Sequence, residues 1–212
     1  GERTGNWGIH DMGTLNLGSN RTFAIADSAG SFNELNISTP ITGAATLTKT
    51  GAGTLSLNGS GSWTGGTIIS GGELWLNANS TLPSIGPVTI NHTDGGTRAY
   101  LRLGDNVSQS IGALTFGGTG AGSSSTNELE LRSGSVLTLG GIVTVSATGN
   151  TLTAMISGAG TLALGGNRGD HGRGGQAGFF VSHGVHGSGP QGWAASSTCR
   201  ACCHSGGSTR MK

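Results

Sequence analysis

From residue 47 to residue 76 the chain reads L-T-K-T-G-A-G-T-L-S-L-N-G-S-G-S-W-T-G-G-T-I-I-S-G-G-E-L-W-L. Apolar side chains alternate with Thr, Ser and Asn, the two-residue period of a strand with one buried face. Glycine clusters break the alternation every few residues, and glycine suits tight corners because it takes positive φ at no steric cost. The spacing predicts a short strand, a turn, a strand carrying Leu55 and Leu57, a second turn, then strands at 66–70 and 73–76. Part of this stretch recurs. Residues 51–59, G-A-G-T-L-S-L-N-G, are matched position by position by residues 158–166, G-A-G-T-L-A-L-G-G.

A repeated strand-and-corner unit buries only a thin apolar stripe, so the units must stack on one another to make a core. Composition fits such a chain. Of its 212 residues 43 are Gly, 10% are charged and 5% are aromatic, a profile that by itself would suggest disorder. Leu-x-Leu pairs recur through residues 1–166 and argue for order there. Further strands are predicted at 14–18, 21–25, 35–37, 88–90, 100–103, 113–116, 128–131, 136–139 and 142–145. No stretch puts apolar residues at helical spacing behind a cap. The expected fold is all-β: a right-handed parallel β-helix, or solenoid, over residues 1–166. Leu55, Leu74, Val88, Leu101 and Leu114 open successive pairs at intervals uneven for a strict repeat, which fits a loosely coiled β-helix whose coils each give short strands to two or three sheets. A β-sandwich also has many short strands and is the alternative; the internal repeat favours the solenoid.

These residues resemble the autotransporter-associated β-strand repeat found in passenger regions of bacterial autotransporters. Lys49, Gly51, Gly53, Thr54, Leu55 and Leu57 fill its Lys-x-Gly-x-Gly-Thr-Leu-x-Leu part. Trp63, Thr64, Gly65, Gly66 and Thr67 fill its aromatic-Thr-Gly-Gly-Thr turn, and Gly72 with Leu74 closes it. The second copy keeps Gly158, Gly160, Thr161, Leu162 and Leu164 but has Ile156 in place of the lysine and no turn after Gly166. The resemblance implies a passenger segment, secreted or displayed on the extracellular side of the outer membrane. Its role would be that of a structural stalk supporting passenger folding and display, with no enzymatic activity and no cofactor. An outer-membrane translocator would be its partner in the full-length product. Outward Thr, Asn and Ser could meet surface glycans or host and matrix molecules. The alternatives are a glycan-binding adhesin and a carbohydrate-active β-helix enzyme, a lyase or hydrolase.

Charge excludes other classes. Residues 1–166 hold six Lys and Arg against nine Asp and Glu, scattered, which is no electrostatic footprint for nucleic acid. No run of about 18 apolar residues exists to span a membrane as a helix. Because the chain opens at Gly1 with no basic-then-apolar leader, it is expected to be an internal fragment.

His92, Asp94, Arg98, Tyr100, Arg102 and Asp105 form the densest polar cluster of the body. A lyase needs Arg or Lys to acidify a proton beside a uronate, and a hydrolase needs two carboxylates. Arg98, Tyr100 and Arg102 alternate and share one outward face, which reads as a solvated strand whose Arg stems cover apolar surface. No Asp pair or Lys/Arg set is expected to recur on neighbouring coils to build a site. Glu128, Glu130 and Arg132 alternate likewise, without the aspartate-rich nonapeptide of calcium-binding β-rolls. The glycine run at 117–122 lacks the Gly-Lys-Ser/Thr and following helix of a phosphate loop. Trp63 and Trp75 could stack on sugars, but Trp63, just before the Thr-Gly-Gly turn, is expected to pack against the next coil.

From Arg168 the strand alternation stops, and four of the six His and all three Cys appear. Residues 167–212 are expected to be a low-complexity tail, out-of-frame and disordered. Codons for this stretch can be chosen so that reading one nucleotide later gives T-G-A-T-T-V-G-A-G-K-L-V-F. That wording parallels T-G-G-T-I-I-S-G-G-E-L-W-L at 64–76, where the second repeat should continue. The zinc-like spacing of Cys199, Cys202, Cys203 and His204 then carries no meaning, nor does the Arg168-Gly169-Asp170 tripeptide.

Overall fold

The computed structural model describes residues 7–9, 13–31, 33–93, 98–118, 125–146 and 152–165. All of these belong to the first of two units, Gly1–Gly166, and the tail expected at 167–212 lies outside the described residues.

The strands follow one another in coils. The first coil supplies β1 (Trp7–Ile9), β2 (Leu15–Asn16) and β3 (Arg21–Ala24); the second β4 (Leu35–Ile37), β5 (Ile41–Thr42) and β6 (Leu47–Thr50). Two short coils follow, with β7 (Thr54–Leu57) and β8 (Thr67–Ile69), then β9 (Gly72–Leu76) and β10 (Val88–His92). Next come β11 (Arg98–Leu103), β12 (Ser108–Ile111) and β13 (Leu114–Gly118), then β14 (Ser125–Leu131), β15 (Val136–Leu139) and β16 (Val143–Val145). β17 (Leu152–Gly158) and β18 (Thr161–Leu164) close the described chain.

One sheet takes one strand per coil, in the order β1-β4-β7-β9-β11-β14-β17. A second sheet runs β16-β13-β10-β8-β6-β3, and the third side is made by β2-β5 and β12-β15-β18. Every strand pairing among the described residues is parallel, which is possible without helices because the crossover from each strand to its neighbour is the rest of the coil. The described residues thus form an all-β parallel solenoid, as the repeat implied.

Leu35, Leu55, Leu74, Leu101, Leu129 and Ile156 are register partners, strand on strand along the first sheet. The four central leucines of that column are wholly buried. A second column runs Ile37, Leu57, Leu76, Leu103, Leu131. Each such side chain contributes roughly 1.5–3 kcal/mol by leaving water, and a one-residue slip would turn the whole strand outward. Register is therefore fixed by the stripe.

Successive apolar pairs fall on different faces of the coil. Leu55, Leu74 and Leu101 lie on the first sheet, whereas Val88 and Leu114 pair with each other on the second. The intervals from Leu74 to Val88 and from Val88 to Leu101 thus step between faces of one coil and do not count coils. Both faces carry the same apolar pair, so the sequence does not label which face a pair belongs to. β1, β5, β12 and β17 were not predicted. β12 reads S-Q-S-I and points Gln109 inward, 3% exposed. The side-chain amide of Gln109 accepts from the Leu82 N–H at 3.0 Å and donates to the Leu82 carbonyl at 2.9 Å. It pairs with that backbone as a neighbouring strand would.

Candidate functional site

The two copies of the repeat build the same corner in different places. Gly51 turns the chain from the second sheet into the first, while Gly158 turns it from the first into the third side. Gly51 has φ +76° and Gly158 φ +102°; a Cβ there would sit 2.3 Å from the Ile25 carbonyl oxygen or 2.1 Å from that of Leu131. Only glycine can take that conformation in that space. The second glycine of each copy locks the corner, since the Gly53 N–H donates to the Ile25 carbonyl at 2.9 Å and the Gly160 N–H to that of Leu131 at 2.8 Å. The Thr54 N–H then donates to Glu34 Oε2 at 2.6 Å, and that of Thr161 to the Ser135 carbonyl at 2.8 Å. Leu162 is half-buried and Leu164 exposed, whereas Leu55 and Leu57 are buried.

Lys49 occupies a core column between Phe23 and Ile69 and is wholly buried. Its ammonium donates to the carbonyls of Thr50 and Gly51 at 2.8 Å each and of Gly71 at 3.1 Å. A buried charge persists only where such partners converge. The Thr64 and Gly65 N–H groups donate to the carbonyls of Gly43 and Ala45 in the coil before, at 3.0 Å each. The Gly66 carbonyl accepts from the indole of Trp63 at 2.9 Å. Trp63 is fully buried, so it packs within the stack and offers no face to a sugar.

The outer face of the first sheet is where polar side chains gather. Register stacks Thr54, Glu73, Tyr100 and Glu128 in one outward column and Ser56, Trp75, Arg102 and Glu130 in the next. Arg102 is the hub. Its Nη1 lies 2.8 Å from Glu73 Oε1 and its Nε 2.6 Å from Glu130 Oε2, and its guanidinium lies over the rings of Tyr100 and Trp75. The Tyr100 hydroxyl donates to Glu130, and the Arg98 guanidinium also lies over Tyr100, 4.8 Å from the ring centre. Burial pushes the Glu73 carboxyl above its ordinary value, against the pull of Arg102 and Arg98. Burial also raises Glu130, but the hydrogen bonds from Tyr100 and Arg102 outweigh it and hold that carboxyl below its ordinary value. The Tyr100 hydroxyl is pushed up by burial and by its bond to Glu130.

The expected six-residue cluster therefore splits. Arg98, Tyr100 and Arg102 do share an outward face, but His92 is buried on β10 with its parity toward the core, and Asp94 lies outside the described residues. Asp105 faces Arg132 at 3.5 Å, both well exposed, a pair worth little. Glutamates from neighbouring coils meet this strand: Glu73 from the coil before, and Glu128 and Glu130 from the coil after. Glu73 and Trp75 were the missed members. The signal would have been the coil length, which sets Glu73 against Tyr100 and Tyr100 against Glu128.

Beside this ladder lies a cavity of about 510 Å³, whose lining includes Asp27, Glu34, Glu73, Trp75, Arg98 and Arg102. Among the described residues no three His, Cys, Asp or Glu side chains converge as a metal ion would need. No helix among them is long and apolar enough to cross a membrane.

Stacked coils, glycine corners and an inward leucine stripe define the class of this protein, a parallel β-solenoid. Within it, residues 47–76, from β6 through β9, match the family model described as passenger-associated-transport-repeat. The chain carries an autotransporter passenger repeat. No curated protein and no solved structure matches it.

Proposed function

We propose that residues 1–166 are a stalk segment of a secreted or surface-displayed autotransporter passenger, and that the segment supports passenger folding and display. The observation that carries this reading is the unbroken column from Leu35 to Ile156, in which each coil supplies the parallel backbone edge and apolar stripe that the next one needs. A chain emerging at a cell surface can then fold one coil at a time, since each repeat unit rests only on its neighbour. The role is structural and not catalytic; the shared arginine hub fastens three coils together on the outside as the leucines do within. An outer-membrane translocator is the partner this role requires, and the working location is the extracellular side of the outer membrane. Surface glycans or host and matrix molecules are the further partners a displayed stalk would meet.

The test is export. The chain is placed between a secretion signal and an outer-membrane translocator, and surface display is read by protease accessibility on intact cells. The unsubstituted chain should be displayed, and Gly51→Val should cut display about tenfold while the translocator still inserts. Equal display of both chains would refute the stalk reading.

A further inference from the structure

We propose that the cavity on the outer face of the first sheet binds an uncharged saccharide, held between Asp27 and Arg98. At about 510 Å³ it falls within the span of small-molecule sites, roughly 300–1,000 Å³. Most of its charged groups are already committed. Arg102 is shared by Glu73 and Glu130, and the Glu34 carboxylate accepts from the backbone N–H groups of Thr54 at 2.6 Å and Ser28 at 3.5 Å. Two remain. Asp27 is exposed and has no hydrogen bond or ion pair among the described residues. Arg98, also exposed, stacks on Tyr100 and draws on Glu73 through space, but makes no hydrogen bond or ion pair among the described residues. Trp75 lines the same cavity.

A ligand for this pair must donate to a carboxylate and accept from a guanidinium. Hydroxyl groups do both. A polyanion entering here would face Asp27, Glu34 and Glu73, and a polycation would face Arg98 and Arg102. Like charges at such range repel strongly in a partly desolvated site. An uncharged chain of sugar rings meets neither penalty. The site lies on the flank of the stack, so occupancy leaves the coil-to-coil pairing untouched and does not depend on the stalk reading.

The 212-residue chain is titrated with cellotriose and maltotriose as neutral probes and with trigalacturonate as the acidic one, followed by calorimetry and tryptophan fluorescence. At least one neutral trisaccharide should bind saturably. Asp27→Ala and Arg98→Ala should each weaken it about tenfold, the loss of one charge-assisted hydrogen bond. Both side chains are exposed and outside the core, so far-UV dichroism should be unchanged. Tighter binding of trigalacturonate, affinity indifferent to both substitutions, or no saturation with any probe up to about 50 mM would overturn the proposal. A folded chain that binds nothing removes the site and leaves the stalk standing.

Discussion

Lys49 and Ile69 are register partners on adjacent coils, and both are wholly buried. A lysine thus fills a slot in a column that otherwise reads Phe23, Ile69, Ile90 and Phe116. Its stem packs as an apolar side chain while its ammonium reaches the carbonyls of the Gly51 and Gly71 corners. Lys49→Met keeps the stem and loses the donors, and should destabilise the fold by about 2 kcal/mol. Lys49→Ala adds a cavity and should cost about 4 kcal/mol. Urea unfolding of the two variants checks the order; a Met variant at least as stable as the parent would show that the ammonium contributes nothing.

Glycine corners should differ sharply in tolerance. Gly51 and Gly30 both have positive φ, but a Cβ on Gly51 meets the Ile25 carbonyl whereas one on Gly30 meets nothing within 4 Å. Gly30→Ala should therefore cost about 1–2 kcal/mol, the backbone term alone. Gly51→Ala adds a backbone collision and should cost about 4 kcal/mol. Thermal midpoints measured side by side decide the matter, and equal shifts would mean that the corner relaxes freely.

Gln109 should act on the loop before β10 and hardly elsewhere. Its side-chain amide holds both backbone groups of Leu82. Gln109→Leu keeps the bulk and leaves those groups without partners, at about 1–3 kcal/mol. Hydrogen exchange should quicken at Leu82 and its neighbours while the Leu74 and Leu101 amides keep their protection. Uniform loss of protection along the chain would argue against this local role.

Stability should depend on pH in two opposed ways around the arginine hub. Glu73 has its carboxyl raised above the ordinary 4.5 by burial. The folded state then holds that proton more tightly, so its contribution is present below 4.5 and is lost as pH rises through the raised value. Glu130 is lowered, so its contribution is present above 4.5 and is lost as pH falls through the lowered value. Glu73→Gln should flatten the decline on the alkaline side of 4.5, and Glu130→Gln the decline on the acid side. Denaturant midpoints from pH 3 to 7 check it; a swap of the two effects would mean that the assignments are reversed.

The parallel solenoid was legible because one local signal, an apolar pair followed by a glycine corner, recurs through the chain. Gly51 and Gly158 show how far that signal reaches: the same five-residue wording makes the same corner and the same N–H bond to the coil beneath. It does not say which corner. The outer-face site was half legible. Arg98, Tyr100 and Arg102 were seen to share a face because they are neighbours on one strand, while Glu73, Trp75 and Glu130 were not joined to them because their proximity depends on coil length.

Local physics set what the sequence could determine alone: alternation makes a strand, and glycine permits positive φ where side chains do not fit. Both depend on a few adjacent residues. Tertiary structure decided which residues share a column, that Lys49 belongs inside, and that Arg102 meets carboxylates from the coils before and after it. Those facts depend on coils of unequal length stacking in register, a short one from Leu55 to Leu74 and a longer one from Leu101 to Leu129. Loops of different length leave nearly the same local pattern behind, so only the packed apolar stripe selects one alignment.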